Sequence, residues 1–341
     1  VAIRGLVALP LVAGLVTAGW LLSGANDRPV IAAAPVADPA AGLTIGGGAG
    51  PSVLEVSAPV QAEEPATGTQ PLENWANGLA GPLAIPVQTL IGYANGELTL
   101  RSEQPDCHLS WVTLAGIGQA SVGGDKASGP MGLTPVQWKR WGHGIPGIEK
   151  PAITDLDSAA VATGRALCAS GADLGGGSGW WKAIANFRSS ELFRQQVLGN
   201  AQLYATLSLD PAKADKPSTR ATRFALGQLG LPYVWGGNGP DAGAAGFDCS
   251  GLTKASYDAA GVALPRTADS QFRATAQVPI TEEPKLGDLV FYGNPATKIH
   301  HVGLYLGNGL MINAPTEGQA IQIHTYHSKG DDYVGAGRPS A

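Results

Sequence analysis

Cys249 stands in the stretch Gly246-Phe247-Asp248-Cys249-Ser250-Gly251-Leu252, and a later segment reads His300-His301-Val302-Gly303-Leu304-Tyr305. A cysteine that opens a helix and a histidine on a later strand are the minimum equipment of a thiolate nucleophile and its base. The chain has only three cysteines. If Cys107 and Cys168 pair, Cys249 is the one left free, and an unpaired thiol in an exported chain asks for a functional reason.

Asp248 is a good N-cap, which places Cys249 in the first turn of a helix. The partial positive charge and free N–H groups there favour a thiolate and can hold an oxyanion. Neighbours on a strand point to opposite faces, so only one of His300 and His301 can serve Cys249. His301 is in phase with Gly303 and Tyr305, whereas Val302, Leu304 and Leu306 form an apolar face that should bury. His301 is therefore the expected base and His300 a solvated or structural residue. Asn313 is the candidate to orient the imidazole, as a third group does in such triads. Register tests it. A two-residue hairpin loop at Asn308-Gly309 would turn Asn313 away from His301. A three-residue loop over 307–309, or an equivalent bulge, would put both on one face.

The elements that must position these groups can be read around them. Residues 220–229 and 249–260 read as helices, and 289–292, 301–306, 310–314 and 321–324 as strands. A helix leading into antiparallel strands predicts an α+β domain over 220–341. Upstream, 85–100, 111–119, 157–169 and 180–207 carry apolar residues at helical spacing, giving an all-α domain over 73–208 with 209–219 as linker. Residues 27–72 are rich in Ala, Pro and Gly and read as a disordered tether. The apolar run over 5–25 within residues 1–26 is long enough to cross a bilayer. With Ser23-Gly24-Ala25 it also fits a secretory signal, so anchor and cleaved signal both stand. Either predicts an extracytoplasmic chain, wall-bound, membrane-anchored or secreted, in which disulfides are permitted.

The C-terminal motifs resemble the NlpC family of bacterial cell-wall cysteine endopeptidases, which have a papain-like core. The matching pieces are Gly230-Leu231-Pro232-Tyr233-Val234-Trp235-Gly236-Gly237, the segment around Cys249, Leu264-Pro265-Arg266-Thr267-Ala268, Gly287-Asp288-Leu289-Val290-Phe291 and His301-Val302-Gly303-Leu304-Tyr305. The resemblance implies Cys249 as nucleophile, His301 as base, and cleavage of the γ-D-glutamyl bond to a diamino acid in peptidoglycan stems. It implies substrate contacts at Tyr233, Asp248, Ser250 and Arg266, with Asp248 available to a free amine. Asn313 departs from the His or Glu frequent at the family's third position, and is the papain solution.

Cys107-His108-Leu109-Ser110-Trp111, Leu114-Ala115-Gly116-Ile117-Gly118 and Gly129-Pro130-Met131-Gly132-Leu133-Thr134-Pro135 resemble lysozyme-like lytic transglycosylases of actinobacteria. That family follows Ile-Gly closely with a glutamate that protonates the glycosidic oxygen. Here Ser121 stands at that position, and no Glu occurs between Glu103 and Glu149. A hydroxyl cannot replace a carboxylic acid of raised pKa, so glycan cleavage is expected to be lost and glycan binding retained. Glu97 and Glu103 read as solvated charges, and His324 and His327 as surface residues. A Cys107–Cys168 bridge would close a loop of about 60 residues, worth on the order of 4 kcal/mol.

The net charge of −5, without any basic stripe, argues against a nucleic-acid partner. No clustering of His and Cys suggests a metal, and no cofactor is implied. Peptidoglycan is the expected partner, with the membrane as a second if the apolar segment stays uncleaved. Oligomeric state has no signature. Two other readings remain open. One is a non-catalytic wall-binding scaffold or regulator with both enzymatic domains degenerate. The other is an amidase or acyltransferase that keeps the fold and changes the acyl substrate.

Overall fold

A computed structural model describes residues 58–60, 62–124 and 128–340. The apolar segment expected as signal or anchor lies outside the described residues, as does most of the expected tether. Among the described residues no helix is long and apolar enough to cross a membrane.

Among the described residues seven α-helices precede the predicted linker: α1 (Thr69–Leu83), α2 (Val87–Glu103), α3 (Trp111–Ala120), α4 (Pro135–Trp141), α5 (Leu156–Cys168), α6 (Gly177–Phe187) and α7 (Glu191–Leu209). Asp155 caps α5 by accepting from the Ser158 N–H at 2.9 Å, as its position before the apolar run suggests. The long apolar pattern over 180–207 breaks in two, because Arg188 is extended and the Ser190 hydroxyl caps a new helix. Cys107 and Cys168 are disulfide-bonded.

The reading of Glu97 needs correction here. Glu97 is buried rather than solvated: its Oε2 accepts from the Trp111 N–H at 2.6 Å and so caps α3, while Oε1 pairs with Arg101. Glu103 forms a two-point ion pair with Arg165, whose guanidinium also holds the carbonyls of His143 and Gly144. The tether reading also ends too late. Helix α1 begins at Thr69, and the chain is already docked at Ala58, whose carbonyl accepts from Asn308 Nδ2 at 2.6 Å. The Val60 and Glu63 N–H groups bond Gln202 and Ser208 on α7.

The linker is likewise short and structured, and α8 (Pro217–Leu226) starts within it on a proline, the residue suited to a first helical turn. Then come α9 (Cys249–Ala259), α10 (Ala268–Ala274) and a six-stranded antiparallel sheet. Its strands are β1 (Ala276–Val278), β2 (Leu289–Asn294), β3 (Lys298–Gly307), β4 (Leu310–Asn313), β5 (Gln322–Thr325) and β6 (Tyr333–Arg338), in the order β1-β6-β2-β3-β4-β5. The α+β reading of the C-terminal region therefore holds.

Alternation divides the sheet residues between two apolar clusters. Leu289, Phe291, Val302, Leu304 and Ile312 join a main core that also holds Leu252 and Tyr257 of α9. Val290, Tyr292, Tyr305, Met311 and Ala336 form a second cluster. The main core runs without a break into the seven-helix region. Helix α7 is the shared wall: a Cβ on its Gly199 would collide with Leu226 of α8 and Ile323 of β5. The buried Gln195 Oε1 accepts from the Ile323 N–H at 2.7 Å, which satisfies a donor of the edge strand β5.

Candidate active site

Asp248 builds the local frame of the site. Its Oδ1 accepts from the Gly251 N–H at 2.6 Å, the capping bond that starts α9 and puts Cys249 in the first turn. Its Oδ2 accepts from the Gly236 N–H at 3.0 Å, tying down the turn that carries Tyr233 and Trp235. Arg266 closes the frame from the other side, reaching both carboxylate oxygens at 2.9 and 2.7 Å and the Ser250 hydroxyl at 3.0 Å. Gln271 then ties the Ser250 and Pro265 carbonyls and accepts from Thr253. Asp248, Ser250 and Arg266 thus meet one another as a clamp, and any substrate ammonium at Asp248 would compete with a bidentate guanidinium. Tyr233 is only partly buried, and Trp235 is 78 % exposed beside it.

The Cys249 thiol is buried. Burial first, then the Asp248 carboxylate, pushes its pKa up to about 11. The backbone N–H groups of Val302 and Ser250 and the Ser250 hydroxyl pull the other way without reversing the shift. The helix terminus alone predicts a lowered thiol; desolvation outweighs it here. The Val302 contact is also positional, since it sets the sulfur beside the residue that follows His301.

His301 is 1 % exposed on the second face of the sheet, opposite Tyr292 on β2 with the two rings 5.7 Å apart. The parity reading is right about phase. It misses that this face is buried as well, by the second apolar cluster. Burial, with a contribution from His300, pushes the His301 pKa down to about 4. A hydrogen-bonding interaction with the Asn313 side chain opposes that shift. His301 Nε2 and Asn313 Oδ1 have no partner within full hydrogen-bond distance, so their contact is a loose one.

The hairpin meets the register condition through its bulge. Gly307 pairs with Leu310, leaving Asn308-Gly309 as a two-residue loop with φ of 52° and 73°, the left-handed pair of a type I′ turn. A bulge between Tyr305 and Gly307 then shifts the ladder, so that Tyr305 faces Met311 and Leu304 faces Ile312. Continued by one residue, this sets Asn313 against Gly303 and diagonal to His301. His300 points elsewhere and bonds Asp332 at 2.6 Å, a structural role as expected.

One member of the site is absent from the sequence reading. His324 is not a surface residue: its Nδ1 lies 3.1 Å from Asn313 Nδ2. Burial, with His301 nearby, pushes its pKa down to about 3. It stands opposite Met311 in the β4–β5 pairing, hence diagonal to Asn313. His327 is exposed and pairs with Asp331. Among the described residues no group of His, Cys, Asp and Glu could hold a metal ion.

A cavity of about 520 Å³ lies in the helical region and is lined by Tyr93, Gln119, Ser121, Thr154 and Tyr204 among others. Ser121, at the position expected of a glycosidic acid, does line it. Among the described residues no carboxylate does.

The NlpC/P60 family profile matches residues 230–335. The chain is 44% identical over 99 residues to the gamma-D-glutamyl-L-lysine dipeptidyl-peptidase of Bacillus subtilis, a match covering 28% of this chain and 32% of that one. It is 47% identical over 96 residues to the bifunctional muramidase/DL-endopeptidase CwlT of the same organism, covering 28% of each chain. The NlpC/p60 domain of the peptidoglycan hydrolase SagA aligns at 31% identity with a TM-score of 0.31, covering 36% of this chain and 97% of that one. This chain spans less than half the length of either curated relative.

Proposed function

From the premise that residues 230–335 are an NlpC/P60 domain, we propose that the chain is an extracytoplasmic peptidoglycan endopeptidase that cleaves stem peptides through a Cys249 acyl-enzyme. The observation that supports this reading is that the Cys249 sulfur lies at the backbone N–H of Val302, the residue next in chain to His301. A bulge turns Asn313 onto the His301 face.

In the resting site the thiol and the imidazole are both neutral, because burial favours the uncharged form of each. His301 therefore acts as a general base during attack, taking the thiol proton as sulfur bonds to the scissile carbonyl carbon. Asn313 Oδ1 steadies the imidazolium that forms. N–H groups at the start of α9 are placed to take the developing oxyanion. His301 returns the proton to the departing amine, and water then releases the acyl group. The bond from γ-D-glutamate to the diamino acid is the substrate we favour, in keeping with the activity named for the relative from Bacillus subtilis. Tyr233 is near enough to feel Cys249 electrostatically and is the side chain left to contact substrate.

We assign the helical region a glycan-holding role without glycosidic cleavage, supported by a cavity that has hydroxyl groups and, among the described residues, no acid. Digestion of purified muropeptides by the wild type and Cys249→Ala, read by product mass spectrometry, tests the proposal. Release of a diamino-acid fragment only by the wild type is expected. Equal release by the variant would overturn the mechanism, and products of transfer rather than hydrolysis would point to an acyltransferase.

A further inference from the structure

Asparagine is an ambiguous orienter, because its amide can offer a neighbouring imidazole either an oxygen or an NH2 group. The two choices have opposite consequences for His301. If Oδ1 faces Nε2, the imidazole carries its proton on Nε2 and keeps its lone pair on Nδ1, the form a base at Nδ1 needs. If Nδ2 faces Nε2, the proton is driven to Nδ1 and that base is lost. Something has to select the orientation.

We propose that His324 is a positioning residue that makes this selection, accepting from Asn313 Nδ2 at Nδ1 so that Oδ1 is left for His301. Three observations support it. The Asn313–His324 bond is 3.1 Å long, and Asn313 Oδ1 has no other partner. The β4–β5 register puts His324 on the Asn313 face. The preceding residue, Ile323, is pinned from outside the sheet by Gln195 of α7, which fixes β5 where His324 is needed. Burial also keeps His324 neutral, as an Nδ1 acceptor must be.

This inference rests on the cysteine-peptidase reading, and its test has one arm that does not depend on activity. Imidazole nitrogen NMR on the whole chain reports the tautomer of His301. The wild type is expected to hold the proton on Nε2, and His324→Leu to lose that preference. His324→Gln, which supplies a neutral acceptor oxygen, should restore it. In stem cleavage His324→Leu should lower kcat on the order of ten- to a hundredfold with KM unchanged, the span of coupling between hydrogen-bonded neighbours. In an Asn313→Ala background the same change should cost nothing further. His324→Met, similar in reach but without the nitrogen acceptor, replaces the leucine variant if that fails to fold. An unchanged His301 tautomer in the leucine or methionine variant overturns the inference, as does a loss that persists undiminished in the Asn313→Ala background. Absence of any Cys249-dependent cleavage in the wild type would instead sink the peptidase reading, while the tautomer measurement still decides the role of His324.

Discussion

The Cys249 region and the helical cavity differ in the groups they hold. Around Cys249 the environment moves the ionisable groups far from their ordinary ranges, with a thiol pushed up and two histidines pushed down. The helical cavity is lined by hydroxyls, an amide and glycines, and its tyrosines are held protonated by burial. Displaced pKa values in a prearranged geometry are what proton-transfer chemistry uses. A cavity whose described lining holds no acid can still bind, but that lining has no proton to deliver near neutral pH. The contrast teaches that a concave site and a reactive one are separate inheritances, even when the two share one hydrophobic core.

The sharpest way to break this contrast is to remove the base. His301→Gln should lower kcat/KM for stem cleavage by roughly 10³-fold or more, the scale on which triad members act. Gln119→Ala in the helical cavity should change it by less than about tenfold, since no bond is made or broken there. A large loss from the second variant would mean that the cavity takes part in the reaction. Next in size is the disulfide. Cys107→Ala/Cys168→Ala removes a link across 61 residues and should cost on the order of 4 kcal/mol. Because α7 belongs to both regions, calorimetry should show one transition moving down as a whole. Two separated transitions would show that the regions fold independently, against the continuous core.

The chemistry of the C-terminal site was more legible than its supports. Capping at Asp248, helical entry at Cys249 and the parity of His301 are local rules, and each is visible in a few consecutive residues. The hairpin condition was legible as a choice between an odd loop and a bulge, and the bulge answered it. His324 was hidden because eight residues separate Asn313 from Gln322, and a loop of that length sets no register. Strand β6 contains Gly335 and Gly337 and was not among the strands read from the sequence; pairing on both sides, with β1 and β2, makes it one. Helix α1 was lost to composition, since its Pro, Gly and Ala resemble the tether before it. Burial was the other blind spot. Glu97 looks like any surface glutamate until the N-terminus of α3 is set against it.

Acidity offers the next test. His301 and His324 titrate near 6.5 when unfolded but at about 4 and about 3 in the fold. The folded state therefore binds fewer protons than the unfolded chain below about pH 6.5. Their contribution is fully present above that pH and is lost as pH falls toward 4, by roughly 2–3 kcal/mol each at pH 4.5. Glu97, whose pKa is raised by burial, acts in the opposite sense. Thermal unfolding between pH 7.5 and 4.5 should show a falling Tm, with a shallower slope in His324→Gln. A flat profile in the wild type would mean that the histidines are not held neutral. Hydrolysis should keep its acid limb near pH 4, because the base remains unprotonated down to that value.

The smallest expected effect bears on the helical cavity itself. Restoring a carboxylate with Ser121→Glu is the obvious way to erase the difference between the two sites, and it should fail. A Cβ on Gly132 would strike both the Ser121 hydroxyl and the Arg188 guanidinium, so these groups flank one point. Arg188 already donates to the Gly132 carbonyl at 2.8 Å and lies 3.9 Å over the Phe193 ring, half-buried. A glutamate at 121 would pair with it, and the pairing would lower the carboxyl pKa where a glycosidic acid needs it raised. The variant should gain about 1 kcal/mol of stability from a partly buried ion pair and release no reducing ends from glycan strands. Replacing the guanidinium as well, in Ser121→Glu/Arg188→Met, leaves the carboxyl in a site that favours its protonated form. Weak glycan cleavage is expected only there. If Ser121→Glu alone cleaves, the cavity lacks nothing but its acid, and the gap between the two sites is a single residue wide.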